Sequence, residues 1–231
     1  MADEPGPLIA AGRAADVFDV GDGKVLRRYR GTHGDVEHEA RIMAYVAERG
    51  YPVPTVHEAS GADIVMDHVD GTTMLASLEA APWKVVWHAR LLAKLQRDLA
   101  KIPAPDWMLG PSVDPARRLS VLHLDLHPMN VMLSKRHGPI VIDWTNAGGG
   151  PAAFDAAITY VEIATFETSG PRDQIGQRVF AEAFKRFRRV PNFDAFVETA
   201  CDHRLADSGI TPGERVAVAE LRKKVKRSDT P

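Results

Sequence analysis

The hydrophobic pattern of this chain changes character once, near residue 70, and that change limits the folds open to it. Before it, apolar residues come in short runs bounded by turn signals. Val17-Phe18-Asp19-Val20 is followed by Gly21-Asp22-Gly23 and then by Lys24-Val25-Leu26-Arg27-Arg28-Tyr29, which predicts two strands joined in a hairpin. Asp35 is placed to cap a helix that stops at Gly50 and Pro52, with Val36, Ala40, Met43 and Ala47 on one apolar face. Ile64-Val65-Met66 reads as a further strand that runs into a polar stretch ending at Gly71. After residue 70 the period becomes helical. Trp83, Trp87, Leu91, Leu95 and Leu99 recur every four residues behind Pro82, which predicts a helix with that stripe in the core. Further helices are expected at about 153–166, 174–188, 193–206 and 213–226. Two short apolar strands, around Val131-Met132-Leu133 and Ile140-Val141-Ile142, interrupt the helical part. Strands first and helices second, with one inserted hairpin, predict a two-lobed α+β fold. The β-rich lobe is expected over residues 1–66, a hinge over 67–72 and a helical lobe over 73–231.

At 231 residues, 45% of them hydrophobic, the chain can bury a sizeable core. Its 29 basic and 31 acidic residues leave a net charge of −2, which argues against a dedicated nucleic-acid binder. The single cysteine, Cys201, rules out an intrachain disulfide and is expected to serve packing. The first six residues are acidic and lack the basic start of a leader, and no apolar run is long enough to cross a membrane. The expectation is a soluble cytoplasmic protein.

The stretch that carries chemistry contains His123, Asp125, His127, Pro128 and Asn130, then the hairpin, then Ile142-Asp143-Trp144. An aspartate, an asparagine five residues on and a second aspartate across a β-turn supply three hard oxygen ligands. Such ligands suit Mg²⁺, which keeps several waters and takes its remaining ligands from substrate phosphates. A carboxylate beside that metal, free to meet a hydroxyl proton, completes a phosphoryl-transfer site. A second reading uses the same residues differently. His123, Asp125 and His127 alternate, so on a strand they would share a face and could bind zinc for a hydrolase. Pro128, Asn130 and Asp143 have no role in that scheme.

The segment resembles the catalytic and metal-binding loops of the aminoglycoside phosphotransferase and choline kinase family, which shares the protein-kinase-like fold. The family pattern, His-x-Asp-x-x-x-x-Asn followed by Ile-Asp-Trp or Ile-Asp-Phe, is matched by His123, Asp125, Asn130 and Ile142-Asp143-Trp144. The resemblance implies a kinase that moves the γ-phosphoryl of ATP or GTP to a hydroxyl of a small acceptor. In it Asp125 orients the hydroxyl, His123 supports the loop, Asn130 and Asp143 hold Mg²⁺, and Asp155 braces the loop. It further implies that Met66, Asp67, His68 and Val69 form the hinge that meets adenine. Glu39 falls at the helix glutamate, and Arg27 stands where the phosphate-binding lysine is usual. Arginine keeps the charge and can clamp phosphate oxygens in a fork, but it is bulkier. Lys24 is a poorer substitute, because strand alternation turns it to the other side. Residues 11–16 occupy the place of the loop over the phosphates and carry one glycine, Gly12. The resemblance runs from about residue 8 to residue 166. The poor phosphate loop and Arg27 leave one alternative open, a catalytically silent nucleotide-binding protein of the same fold.

Residues 171–231 hold 13 Lys/Arg against 9 Asp/Glu, a net of +4. A polycationic aminoglycoside needs a carboxylate-lined cleft. Asp194, Glu198, Asp202 and Asp207 are the residues that could supply a local acidic face. The expected acceptor is therefore a neutral or mildly charged sugar, amino alcohol or other hydroxylated metabolite. Lys223, Lys224, Lys226 and Arg227 read as a solvated helix end.

Overall fold

The computed structural model describes residues 5–12, 14–31, 35–109 and 119–228. The chain divides into two compact units, residues 1–72 with 131–147 and residues 73–130 with 148–231. In the first unit, β1 (Leu8–Ala11), β2 (Ala15–Gly21), β3 (Lys24–Tyr29), β4 (Val56–Ser60) and β5 (Asp63–Asp67) form an antiparallel sheet in the order β1-β2-β3-β5-β4. The β2–β3 turn works because Gly21, Asp22 and Gly23 all adopt positive φ, at 81°, 51° and 69°. Glycine takes that conformation without steric cost. Helix α1 (Val36–Ala47) is capped by Asp35, whose Oδ1 accepts from the His38 amide at 2.9 Å.

Register decides which side chains of β3 reach the interior. Arg27 lies opposite Val17 on β2 and Ile64 on β5, and Val25 lies opposite Met66. Val25, Arg27 and Tyr29 therefore share a face with Ile64 and Met66, and Tyr29 on that face bonds to Glu39 of α1. The opposite face, with Leu26, Arg28 and Val65, lines an open groove of about 980 Å³ that is turned away from Arg27.

A two-residue strand, β6 (Thr72–Thr73), ends the first segment. In the second unit β7 (Ser120–Leu122) pairs with β10 (Gly148–Gly150). Between them in sequence, β8 (Val131–Ser134) and β9 (Gly138–Val141) pair as the expected hairpin. That hairpin, which the sequence placed within the helical lobe of 73–231, groups with the first unit. The Val141 amide donates to the Pro52 carbonyl at 2.8 Å, and the fully buried Trp144 packs edge-on against Tyr51 with centroids 5.7 Å apart. Gly71 sits close beneath it. A Cβ there would lie 2.2 Å from the Leu133 carbonyl oxygen, and φ is +118°.

The second unit is helical: α2 (Met74–Ala80), α3 (Val85–Leu99), α4 (Ala152–Thr165), α5 (Pro171–Phe187), α6 (Asp194–Ala206) and α7 (Pro212–Ser228). Helix α4 is buried nearly all round, as a helix with so apolar a sequence must be. It packs on α5, α6 and α7, while α3 packs on α5. The aromatic stripe predicted for the core is a correction. Trp83 is 79% exposed and Trp87 56%. The buried face of α3 is instead His88, Ala89, Leu92, Ala93, Leu95, Gln96 and Leu99. Leu95 and Leu99 belong to both stripes, so spacing alone left two candidate faces. The helix buries the one with small alanines, where neighbouring backbones can approach. Among the described residues no helix is long and apolar enough to cross a membrane.

Candidate active site

The loop after β7 is held from below by a buried polar relay. The Leu124 amide donates to Asp155 Oδ1 at 2.7 Å, and the Gln96 amide donates to Asp155 Oδ2 at 2.6 Å. Thr159 in turn donates to Gln96 Oε1 at 3.0 Å. Asp155, Gln96 and Thr159 are all buried, so these bonds face no competition from water. Their product is local. Leu124 is held at φ 62°, a left-handed conformation costly for leucine, and this turns the chain so that Asp125 follows as a partly exposed side chain.

Asn130 closes the loop. Its Nδ2 donates to the Asp125 carbonyl at 2.9 Å and to Asp125 Oδ2 at 3.0 Å. With the amide nitrogen so engaged, the end that Asn130 can offer a cation is its carbonyl oxygen. His127 Nε2 lies 3.4 Å from Asp125 Oδ1. Burial works to raise the Asp125 carboxyl. The hydrogen bond and charge of His127, the charge of His123 and a hydrogen bond from Glu162 outweigh it and hold Asp125 below the ordinary aspartate range. Glu162 on α4 is pushed the other way, well above the usual carboxylate range, by burial and then by the Asp125 charge. His123 is fully buried beneath the loop. A zinc cluster of His123, Asp125 and His127 is not seen: among the described residues no group of three His, Cys, Asp or Glu side chains could hold a metal.

In the first unit, Arg27, Glu39 and Asp143 come together. Arg27 Nη1 donates to Glu39 Oε1 at 3.0 Å and Nη2 to Asp143 Oδ1 at 2.7 Å. The Trp144 amide also donates to Glu39 Oε1, at 3.2 Å. Glu39 is thus a buried partner and not a solvated helix residue. Tyr29 Oη donates to Glu39 Oε2 at 2.6 Å and lies 2.6 Å from Thr145 Oγ1, and Thr145 donates to Asp143 Oδ1 at 2.8 Å. Burial raises the Glu39 carboxyl, against the pull of the Arg27 charge.

Met66 is buried at the end of β5, while Asp67, His68 and Val69 are half-buried or exposed. The Asp67 amide donates to the Thr55 carbonyl at 2.9 Å and the His68 amide to the Gly23 carbonyl at 2.8 Å. Asp67 Oδ1 meets His57 Nε2 at 2.7 Å. In the loop between β1 and β2, Arg13 lies outside the described residues. The four carboxylates that could have formed an acidic acceptor face are each matched by a base. Asp194 lies near Lys185 and Arg188, Glu198 near Arg222 and Lys226, Asp202 near Arg222, and Asp207 near Arg204. Cys201 is buried, and burial pushes its thiol up to about 11, so it is inert.

Sequence reading missed Tyr29, Thr145, Gln96, Thr159 and Glu162. For Tyr29 a signal existed, since it alternates with Arg27 on β3 and so shares its face. Thr145 lies two residues from Asp143, but its contact with Tyr29 is 116 residues distant, and Gln96 and Thr159 find their partners far along the chain.

The structure is similar over its length to solved kinases at low identity. Against a thermostable mutant of the aminoglycoside phosphotransferase APH(4)-Ia in its apo form the TM-score is 0.65, with 15% identity, covering 97% of this chain and 95% of that one. Against a choline/ethanolamine kinase family protein from Mesorhizobium loti it is 0.59, with 18% identity, covering 100% and 90%. By sequence, the chain is 27% identical over 182 residues to a homoserine kinase of Pseudomonas aeruginosa strain PAO1, covering 75% of this chain and 55% of that protein. The chain thus spans about half the length of the curated relatives it matches. The family model described as "Phosphotransferase enzyme family" matches residues 6–109 and 72–190. With most of its length matched by that model, and with the fold to go with it, the chain belongs to the phosphotransferase enzyme family.

Proposed function

We propose that the protein is a small-molecule kinase that transfers the γ-phosphoryl of ATP or GTP to an alcohol hydroxyl. The observation that carries the reading is the Asp125–Asn130 arrangement. It offers a carboxylate held below the ordinary aspartate range, an amide whose nitrogen is engaged by two hydrogen bonds so that its carbonyl oxygen is left to serve as a ligand, and a backbone fixed by Asp155. Asp125 would orient the acceptor hydroxyl and take its proton. Asn130 and Asp143 are the oxygen donors for Mg²⁺, which would supply charge neutralisation on the nucleotide phosphates. The donor types suit a hard cation: a carboxylate 38% exposed at Asp143 and an amide carbonyl at Asn130. Arg27 would add positive charge toward the phosphates, and Met66, Asp67, His68 and Val69 would meet the base. Because the Asp67 and His68 amides are committed, hinge carbonyls and the Val69 amide are the groups this reading assigns to adenine.

The acceptor class follows from charge. With Asp194, Glu198, Asp202 and Asp207 each matched by a base, the face they form offers little to a polycation. This favours a neutral or singly charged hydroxylated acceptor, and the homoserine kinase similarity makes a small hydroxylated amino acid one to try first. The test is ADP release across homoserine, choline, ethanolamine, simple sugars and aminoglycosides. Saturable turnover with a small acceptor supports the reading. Strong turnover of kanamycin-like compounds alone, at low concentration, would refute the acceptor class.

A further inference from the structure

Asp143 stands at φ 65°, in the left-handed region that a non-glycine residue leaves unless something holds it. What holds it converges on one oxygen. Oδ1 accepts from Arg27 Nη2 at 2.7 Å and from Thr145 Oγ1 at 2.8 Å. Among the described residues Oδ2 has no hydrogen-bond partner, and the side chain is 38% exposed. The carboxylate is therefore clamped on one edge and presented on the other. Thr145 is itself fixed by Tyr29, whose ring is buried and whose hydroxyl lies 2.6 Å from both Thr145 Oγ1 and Glu39 Oε2. Arg27 stacks on the same ring at 4.7 Å and closes the circuit on Glu39. Arg27 and Glu39 were expected from sequence at this site. Tyr29 and Thr145 were not.

We propose that Thr145, supported by Tyr29, is a positioning residue that fixes the Asp143 carboxylate with Oδ2 turned outward for a divalent cation. The inference rests on the reading of Asp143 as a metal ligand. Neither residue touches a substrate atom. Their contribution is preorganisation, so that the carboxylate rotamer is set before the cation arrives. Thr145 is the better probe. Removing Arg27 would leave Glu39 buried without its cation and remove a positive charge beside the metal as well as its bond to Asp143, so its effect would mix three causes. Thr145 is exposed and small, and Thr145→Val keeps its shape while deleting the hydroxyl.

The experiment is direct titration of Mn²⁺ in the presence of a non-hydrolysable ATP analogue, read by calorimetry and by the Mn²⁺ electron-paramagnetic signal, on the full chain. No acceptor is needed. Loss of a hydrogen bond to a charged group predicts about tenfold weaker Mn²⁺ binding for Thr145→Val. Thr145→Ser, which keeps the hydroxyl, should stay within about twofold of wild type, and Tyr29→Phe should fall between the two. Asp143→Asn should abolish tight binding. If it does while Thr145→Val binds as well as wild type or better, the positioning role is overturned and the metal reading stands. If Asp143→Asn binds as wild type, the metal reading of Asp143 fails and takes this inference with it.

Discussion

Gln96→Leu isolates the relay beneath the loop that carries Asp125. Gln96 is 1% exposed, and leucine has nearly its volume, so the substitution opens no large cavity. What it removes is polar. Asp155 Oδ2 loses a donor at 2.6 Å, and the Thr159 hydroxyl loses an acceptor at 3.0 Å, both out of reach of water. A hydrogen bond to a charged group contributes about 1.5–3 kcal/mol and a neutral one about 0.5–1.5, so the loss should come to roughly 2–4 kcal/mol. For a domain of this size that lowers Tm by roughly 5–15 °C. Urea denaturation of wild type, Gln96→Leu, Thr159→Val and the double variant measures it, and the cycle should show coupling of about 1 kcal/mol between positions 96 and 159. A Gln96→Leu protein within about 0.5 kcal/mol of wild type would refute the idea that the relay is tight and dry. Turnover gives a second readout: with Asp155 less well held, Leu124 loses its anchor, and kcat should fall while nucleotide affinity holds.

Gly71→Ala places a methyl against the Leu133 carbonyl and forces alanine into positive φ, so it should cost roughly 2–5 kcal/mol by chemical denaturation, and a neutral outcome would mean that the two segments are not in contact. His88 is fully buried and burial lowers its pKa, so the folded protein keeps the ring neutral while the unfolded chain protonates it near pH 6.5. Stability should therefore be full above about pH 6.5 and decline below it, and His88→Asn should flatten that decline; an unchanged pH slope in the variant would contradict the assignment. Trp83→Ser should change stability by no more than about 0.5 kcal/mol, since the ring is 79% exposed, whereas a loss of several kcal/mol would restore the stripe to the core.

Much of this molecule can be read from local signals, and the rest fails for identifiable reasons. The Gly21-Asp22-Gly23 turn, the Asp35 cap and the four later helices announce themselves, because turns, caps and apolar periods are properties of neighbouring residues. Helix α6, expected at 193–206, is found at Asp194–Ala206. The Asp125, Asn130 and Asp143 pattern is legible because its residues lie close together in sequence. The face of α3 was not, since Trp83 and Leu92 mark two stripes of equal period and only the neighbours decide which is buried. The relay from Gln96 to Asp155 spans 59 residues and that from Tyr29 to Thr145 spans 116, so no local pattern reports either. The hairpin at 131–147 looks like part of the helical lobe along the chain, yet Trp144 and Val141 bond it to the first unit.

The account stands most directly on Asp125. With any acceptor that supports turnover, Asp125→Asn should reduce ADP release by at least about a hundredfold, as expected when a group that takes a proton is removed. Binding of the Mg²⁺–nucleotide complex, titrated by calorimetry in the same preparation, should stay within about threefold of wild type, because Asp143 remains and an asparagine can still accept from Asn130. Wild-type turnover by the folded variant would contradict the account.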